Sequence, residues 1–120
     1  MLEQIVRLTV HFTPHEGKAE AFKVIAEAMT ESTKAEAGTL GYEWFVSADS
    51  QKFRLVETYI DAGAVEKHFE GAAVRYWVPK LVEVCSVEGF EVYGDPGPIV
   101  TAKAAGLGAV FFGYWLGINR

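Results

Sequence analysis

The chain has 120 residues, half of them hydrophobic, and a formal charge of −5 at neutral pH. That length fits one domain with a real core. Its basic residues, among them Arg7, Lys18, Lys23, Lys34, Lys52, Arg54 and Lys80, form no stripe, which speaks against a nucleic-acid surface and against a basic membrane-surface helix. A lone cysteine, Cys85, excludes a disulfide within the chain and points to a reducing, cytoplasmic setting. Glu3 and the lack of a small-residue cleavage site argue against a signal peptide. The apolar C-terminus is interrupted by Lys103 and glycines, so it falls short of the ~20 apolar residues of a membrane span.

Ile5 to Phe12 alternates, with Val6, Leu8, Val10 and Phe12 against Ile5, Arg7, Thr9 and His11, and predicts a strand with one face on a core. A turn at Thr13–Gly17 leads into a helix over 18–37, where Phe22, Ile25 and Met29 recur at helical spacing; Gly38 stands where a left-handed C-terminal cap would sit. Leu40 to Val46 alternates again. Ser47–Gln51 reads as a hairpin turn, and Phe53 to Ile60 as the third strand, with both of its faces mixed. Asp61 caps a second helix from Ala62 to about Glu70, which Gly71 breaks; a further helical stretch to about Val84 must bend or restart at Pro79. Val87 to Tyr93 is the last strand of the pattern. The order β-α-β-β-α-β is that of an α+β, ferredoxin-like subunit with an antiparallel sheet and helices on one face.

Tyr42, Trp44, Phe53, Leu55 and Tyr59 exceed what two helices cover, so an apolar sheet face is expected to pair with a second copy. Asp95–Pro98 marks a boundary between residues 1–94 and a C-terminal extension, 95–120. That extension holds a short helix near Thr101–Leu107 and is expected to pack on the domain or on a partner.

No metal-ligand spacing, phosphate-binding glycine pattern or nucleophile elbow is present. Cys85 reads as a buried filler. What remains is a set of ionisable groups among aromatics. His68 lies in the second helix and Glu57 on the strand feeding it. A carboxylate beside an imidazole fixes its tautomer and raises its basicity, which suits a base for a phenolic proton. The same spacing fits a core histidine satisfied by Glu57, and spacing alone does not separate the two. Trp44, Tyr59 and Trp77, with Tyr42 and His11, are the candidate contacts for a flat aromatic ligand. His11 fits equally as a rim or dimer-face residue.

Two segments resemble a known family. Glu36–Glu43 (EAGTLGYE) is similar to the E-P-G-x-x-x-Y segment of antibiotic biosynthesis monooxygenase domains, the quinol monooxygenase group included. Glu57–His68 (ETYIDAGAVEKH) is similar to their E-x-W/Y-x-D/S-x-x-A-x-x-x-H segment. The resemblance implies a dimeric α+β barrel with a ligand cavity between sheet and helices. It also implies oxygenation of a quinol or polyphenolic aromatic by O2, with neither cofactor nor metal. Carried onto this chain it marks Glu57, Tyr59 and His68, with His68 as base and Glu57 as its orienter. Haem-degrading relatives carry an asparagine, a tryptophan and a histidine where this chain has Val10, Ile60 and Trp77, which argues against that activity. The alternative to an enzyme is a non-catalytic small-molecule-binding or stress-associated dimeric barrel.

Overall fold

The computed structural model describes residues 4–120. Glu3, which bears on the signal-peptide expectation, lies outside the described residues. The elements run β1 (Val6–Pro14), α1 (Ala19–Thr33), β2 (Thr39–Val46), β3 (Phe53–Tyr59), α2 (Ala62–Glu70), a π-helical turn (Ala73–Trp77), α3 (Val78–Leu81), β4 (Cys85–Tyr93), α4 (Gly97–Gly106) and β5 (Val110–Phe112). The sheet order is β2-β3-β1-β4-β5, antiparallel except where β5 joins β4 in parallel. The first four strands give the ferredoxin-like arrangement the alternation predicts. β5 was not legible, because three residues between glycines carry no periodicity.

Burial on β3 settles its orientation. Phe53, Leu55, Glu57 and Tyr59 are buried under the helices and Arg54, Val56 and Thr58 are not. Residues paired across antiparallel strands share a face. Glu57 therefore stands in a row with Tyr42 on one side and Leu8 and Val92 on the other, at the centre of the sheet. A bulge shifts the β1–β4 register between His11 and Phe12, so that Phe12 pairs with Val87 and brings that valine to the helix side.

This placement corrects the expectation of an apolar outer face built from Tyr42, Trp44, Phe53, Leu55 and Tyr59. All five point toward the helices, because α1, α2 and the segment after it together cover more sheet than two short helices would. The other face is mixed, carrying Arg7, Thr9, His11, Arg54, Val56, Glu91 and Tyr93 on β1, β3 and β4.

α1 stops at Thr33, earlier than its sequence pattern suggests. Gly38 is not a left-handed cap; its φ is not positive. Its smallness serves close approach instead. A Cβ there would lie 2.6 Å from Ala64 Cβ and 3.3 Å from Ile60 Cγ2, while the Gly38 carbonyl accepts from the Ile60 N–H at 2.9 Å. We expect Gly38→Ala to destabilise the fold by about 1–3 kcal/mol through overpacking, read as a lower melting temperature. Unchanged melting would show that this contact relaxes freely.

Asp61 caps α2 as predicted, its carboxylate accepting from the Ala64 N–H at 2.9 Å. The stretch after Gly71 restarts rather than continues. The π-helical turn Ala73–Trp77 passes into α3, and Pro79 falls just after that turn. Cys85 is buried and donates to the Leu81 carbonyl at 3.3 Å; burial pushes its thiol up to about 11, which fits a filler rather than a nucleophile.

The extension continues the same body. Val100 and Ala104 of α4 join the cluster of Val6, Leu8, Tyr59, Val65 and Val92, and β5 lies along β4. Beyond β5, Trp115, Leu116 and Ile118 are exposed. Among the described residues no helix is long and apolar enough to cross a membrane.

Candidate active site

Between the sheet and α1, α2 and α3 lies a cavity of about 250 Å³, lined almost wholly by apolar side chains. Among the described residues, its polar lining residues are Tyr42, Glu57 and His68. β2 and β3 place the first two side by side, because they are register partners. α2 places the third. Its apolar face turns Val65, His68 and Phe69 inward, and the Asp61 cap sets where that face begins.

The imidazole of His68 is only 2% exposed and Glu57 only 4%. His68 Nδ1 lies 2.8 Å from Glu36 Oε1, and the same carboxylate oxygen accepts from Thr39 Oγ1 at 3.0 Å. Glu36 thus anchors Nδ1, and an Nδ1–H donated to it leaves Nε2 as the basic nitrogen. Nε2 faces Glu57 Oε1 at 3.7 Å, outside hydrogen-bond range. Glu57 instead accepts from the Tyr59 hydroxyl. Burial pushes the Glu57 carboxyl above the usual carboxylate range, with His68 acting the other way. Burial first, and then Glu57, push both the Tyr42 and Tyr59 hydroxyls up, so each is a donor at neutral pH. The Tyr42 hydroxyl is buried with no hydrogen-bond partner; the Thr33 hydroxyl donates elsewhere, to the Met29 carbonyl at 2.8 Å. A buried hydroxyl left unpaired beside a cavity is one that a ligand oxygen would satisfy.

The candidate residues divide. Tyr42, Glu57 and His68 meet at one end of the cavity. Tyr59 stands behind them, fully buried, with its ring 5.4 Å from that of His68, and touches a ligand only through Glu57. Trp44 does not line the cavity; it packs on Phe12 and Phe22, and its indole N–H donates to Thr30 Oγ1 at 2.9 Å. Trp77 is outside as well, half-buried edge-on to Tyr76. His11 is on the opposite face of the sheet, over Gly89, where a Cβ would come within 2.9 Å of its Nδ1. The orienting role expected of Glu57 falls by geometry to Glu36. Glu36 opens the EAGTLGYE segment, and spacing carries no sign that it reaches a histidine 32 residues on.

The family model of the antibiotic biosynthesis monooxygenases matches residues 5–80. The chain belongs to the antibiotic biosynthesis monooxygenase family. Membership supports a general monooxygenase-like function, and the matched region contains Glu36, Tyr42, Glu57 and His68. Among solved structures, MupZ from Pseudomonas fluorescens is similar at 21% identity, with 98% of this chain and 95% of MupZ covered and a TM-score of 0.81. A conserved protein from Methanosarcina mazei Go1 is similar at 18% identity, covering 78% of this chain and 94% of that one, with a TM-score of 0.70. SnoaB, a cofactor-independent oxygenase from Streptomyces nogalater, is similar at 12% identity, covering 80% and 97%, with a TM-score of 0.67. At these identities the likeness establishes the fold. No curated protein matches the chain. MupZ aligns over nearly the whole chain, whereas the other two structures align over about four fifths of it.

The raised Glu57 pKa has a consequence for stability. In the unfolded chain this carboxyl ionises near pH ~4.3; in the fold it holds its proton to higher pH. The folded state therefore binds more protons above that pH, and stability falls as pH rises through the window between the two values. We expect Glu57→Gln to raise the melting temperature at neutral pH, with the gain vanishing below about pH 4, where both states are protonated. A gain that persists unchanged at low pH would trace to packing rather than to ionisation.

Proposed function

We propose that this protein is a cofactor-independent monooxygenase acting on a quinol or polyphenolic aromatic. The observation that carries this reading is the meeting of Tyr42, Glu57 and His68 at the buried end of an otherwise apolar cavity, with His68 anchored through Nδ1 on Glu36. Such a cavity excludes water, accepts a flat ring and offers one basic nitrogen and one unpaired hydroxyl where the ring's oxygen would lie.

In this reading His68 Nε2 takes the phenolic proton and becomes an imidazolium held between Glu36 and Glu57. The unpaired Tyr42 hydroxyl donates to the phenolate oxygen as its charge develops. The electron-rich phenolate gives one electron to O2, and the radical pair recombines at a ring carbon as a hydroperoxide. Loss of water leaves one oxygen atom in the oxidised ring and the other in the water. The substrate supplies all four electrons, two in becoming a quinone and two in converting C–H to C–O, so no external reductant enters the balance. Glu57, 3.7 Å from Nε2, stabilises the imidazolium, and the Tyr59 hydroxyl holds Glu57 in place. The family's monooxygenase character and the fold shared with SnoaB support the reading.

The test is O2 uptake by purified protein with a panel of hydroquinones, naphthohydroquinones and anthrones. Uptake above the spontaneous rate, with a hydroxylated quinone or ketone formed in step, is expected. Tight binding across the panel with no uptake above background would point to a carrier instead.

A further inference from the structure

The two ends of the cavity differ in a way that goes beyond where the proton is taken. Glu57 and His68, at one end, are almost fully buried. Three other lining residues are substantially exposed: Leu107 at 57%, Val82 at 46% and Val87 at 43%. A side chain that both lines a cavity and meets solvent marks its mouth. These three come from the end of α4, the end of α3 and the start of β4. These three mouth residues are apolar, and among the described residues no charged side chain lines the cavity between them and Glu57.

Leu107 is held firmly. It is the C-cap of α4, followed by Gly108 in the left-handed region at φ 85. The Gly108 N–H donates to the Ala105 carbonyl and the Ala109 N–H to the Ala104 carbonyl, both at 3.0 Å. That paired closure is a Schellman motif, with Ala109 and Ala104 packed in the same core as its hydrophobic contact. Leu107, like Val82 and Val87, lies beyond the residues 5–80 that the family model matches. Finally, about 250 Å³ is small beside the ~300–1,000 Å³ of ordinary ligand sites, so a ligand larger than a ring or two must protrude.

We propose that Val82, Val87 and Leu107 form the entrance to the site. The substrate class is a neutral phenol or quinol that enters oxygen-first and leaves a hydrocarbon substituent, an alkyl or prenyl-like chain, against these three residues. A substituent ending in a carboxylate or sulfonate is rejected, because the mouth offers it no partner. This rests on the phenolic reading of the buried end.

The test is anaerobic calorimetric titration, so that no turnover occurs, with 1,4-naphthohydroquinones carrying hydrogen, butyl, octyl or carboxybutyl at position 2. Wild type and Leu107→Asp are compared, the variant being at an exposed position and its fold checked by thermal melting. In wild type, affinity is expected to rise about fourfold per methylene while the chain stays in contact, and the carboxybutyl compound is expected to bind at least tenfold more weakly than the butyl one. Leu107→Asp is expected to weaken the octyl compound tenfold or more and the unsubstituted one less than twofold. An equal loss for all four compounds, or none, overturns the entrance while leaving the phenolic site standing. If wild type binds none of the four, the phenolic reading falls and this inference with it.

Discussion

Replacing His68 by alanine is expected to lower the rate of quinol oxygenation by about 10²–10⁴-fold, the range for loss of a positioned general base. The loss should fall on kcat more than on KM, because the ring is held by the apolar walls and the imidazole acts as the proton leaves. His68 is buried between two carboxylates, so its removal also leaves Glu36 and Glu57 without their shared neighbour. His68→Asn, which keeps a polar group at the site, is the companion variant. If it folds with unchanged melting and is as inactive as His68→Ala, the loss belongs to the base and not to collapse of the site. Full activity in either variant would remove His68 from the chemistry.

Glu36→Gln is expected to lower kcat by about 10–100-fold with little change in KM, the usual cost of releasing a histidine from the partner that fixes its tautomer. A carboxylate on Nδ1 permits only the form in which that nitrogen carries the proton. An amide can accept from Nδ1–H or donate to Nδ1, and in the second arrangement Nε2 carries the hydrogen and is no longer a base. The check is the nitrogen NMR spectrum of His68: protonated Nδ1 in wild type, and a population with protonated Nε2 in the variant, in proportion to the activity lost. An unchanged tautomer with reduced activity would assign Glu36 another role. The role is a positioning one, since Glu36 reaches any ligand only through the imidazole.

The sequence exposed the parts of this site that local pattern encodes. Alternation set β1 and β2, and Asp61 before a helical run set α2, so His68 could be placed on an inward helix face from spacing alone. Glu57 was ambiguous because both faces of β3 are mixed. Burial along β3 shows that its carboxyl points under the helices, in register with Leu8 and Tyr42. The aromatics Trp44, Tyr59 and Trp77 illustrate the limit of composition. All three are near the site, yet packing against α1, behind Glu57 and against Tyr76 keeps them out of the cavity wall. His11 lies away from this cavity for a simpler reason: it is on the other face of its own strand, as its alternation with Val10 and Phe12 implies. The placement of Glu36 against His68 and of Leu107 at the cavity was invisible because each joins segments far apart in the chain. No spacing rule joins a loop after α1 to α2, or the end of α4 to the start of β4.

The most direct test of the central claim is an isotope experiment with purified protein and a quinol it turns over, under 18O2 in ordinary water and under 16O2 in H218O. One 18O atom per product molecule from O2 is expected, with none retained from water beyond exchange, one O2 consumed per turnover without added reductant, and loss of all three with His68→Ala. Product oxygen drawn from water, or turnover that proceeds equally without O2, would contradict oxygenation and assign the buried His68–Glu57 end of the cavity to hydration or isomerisation instead.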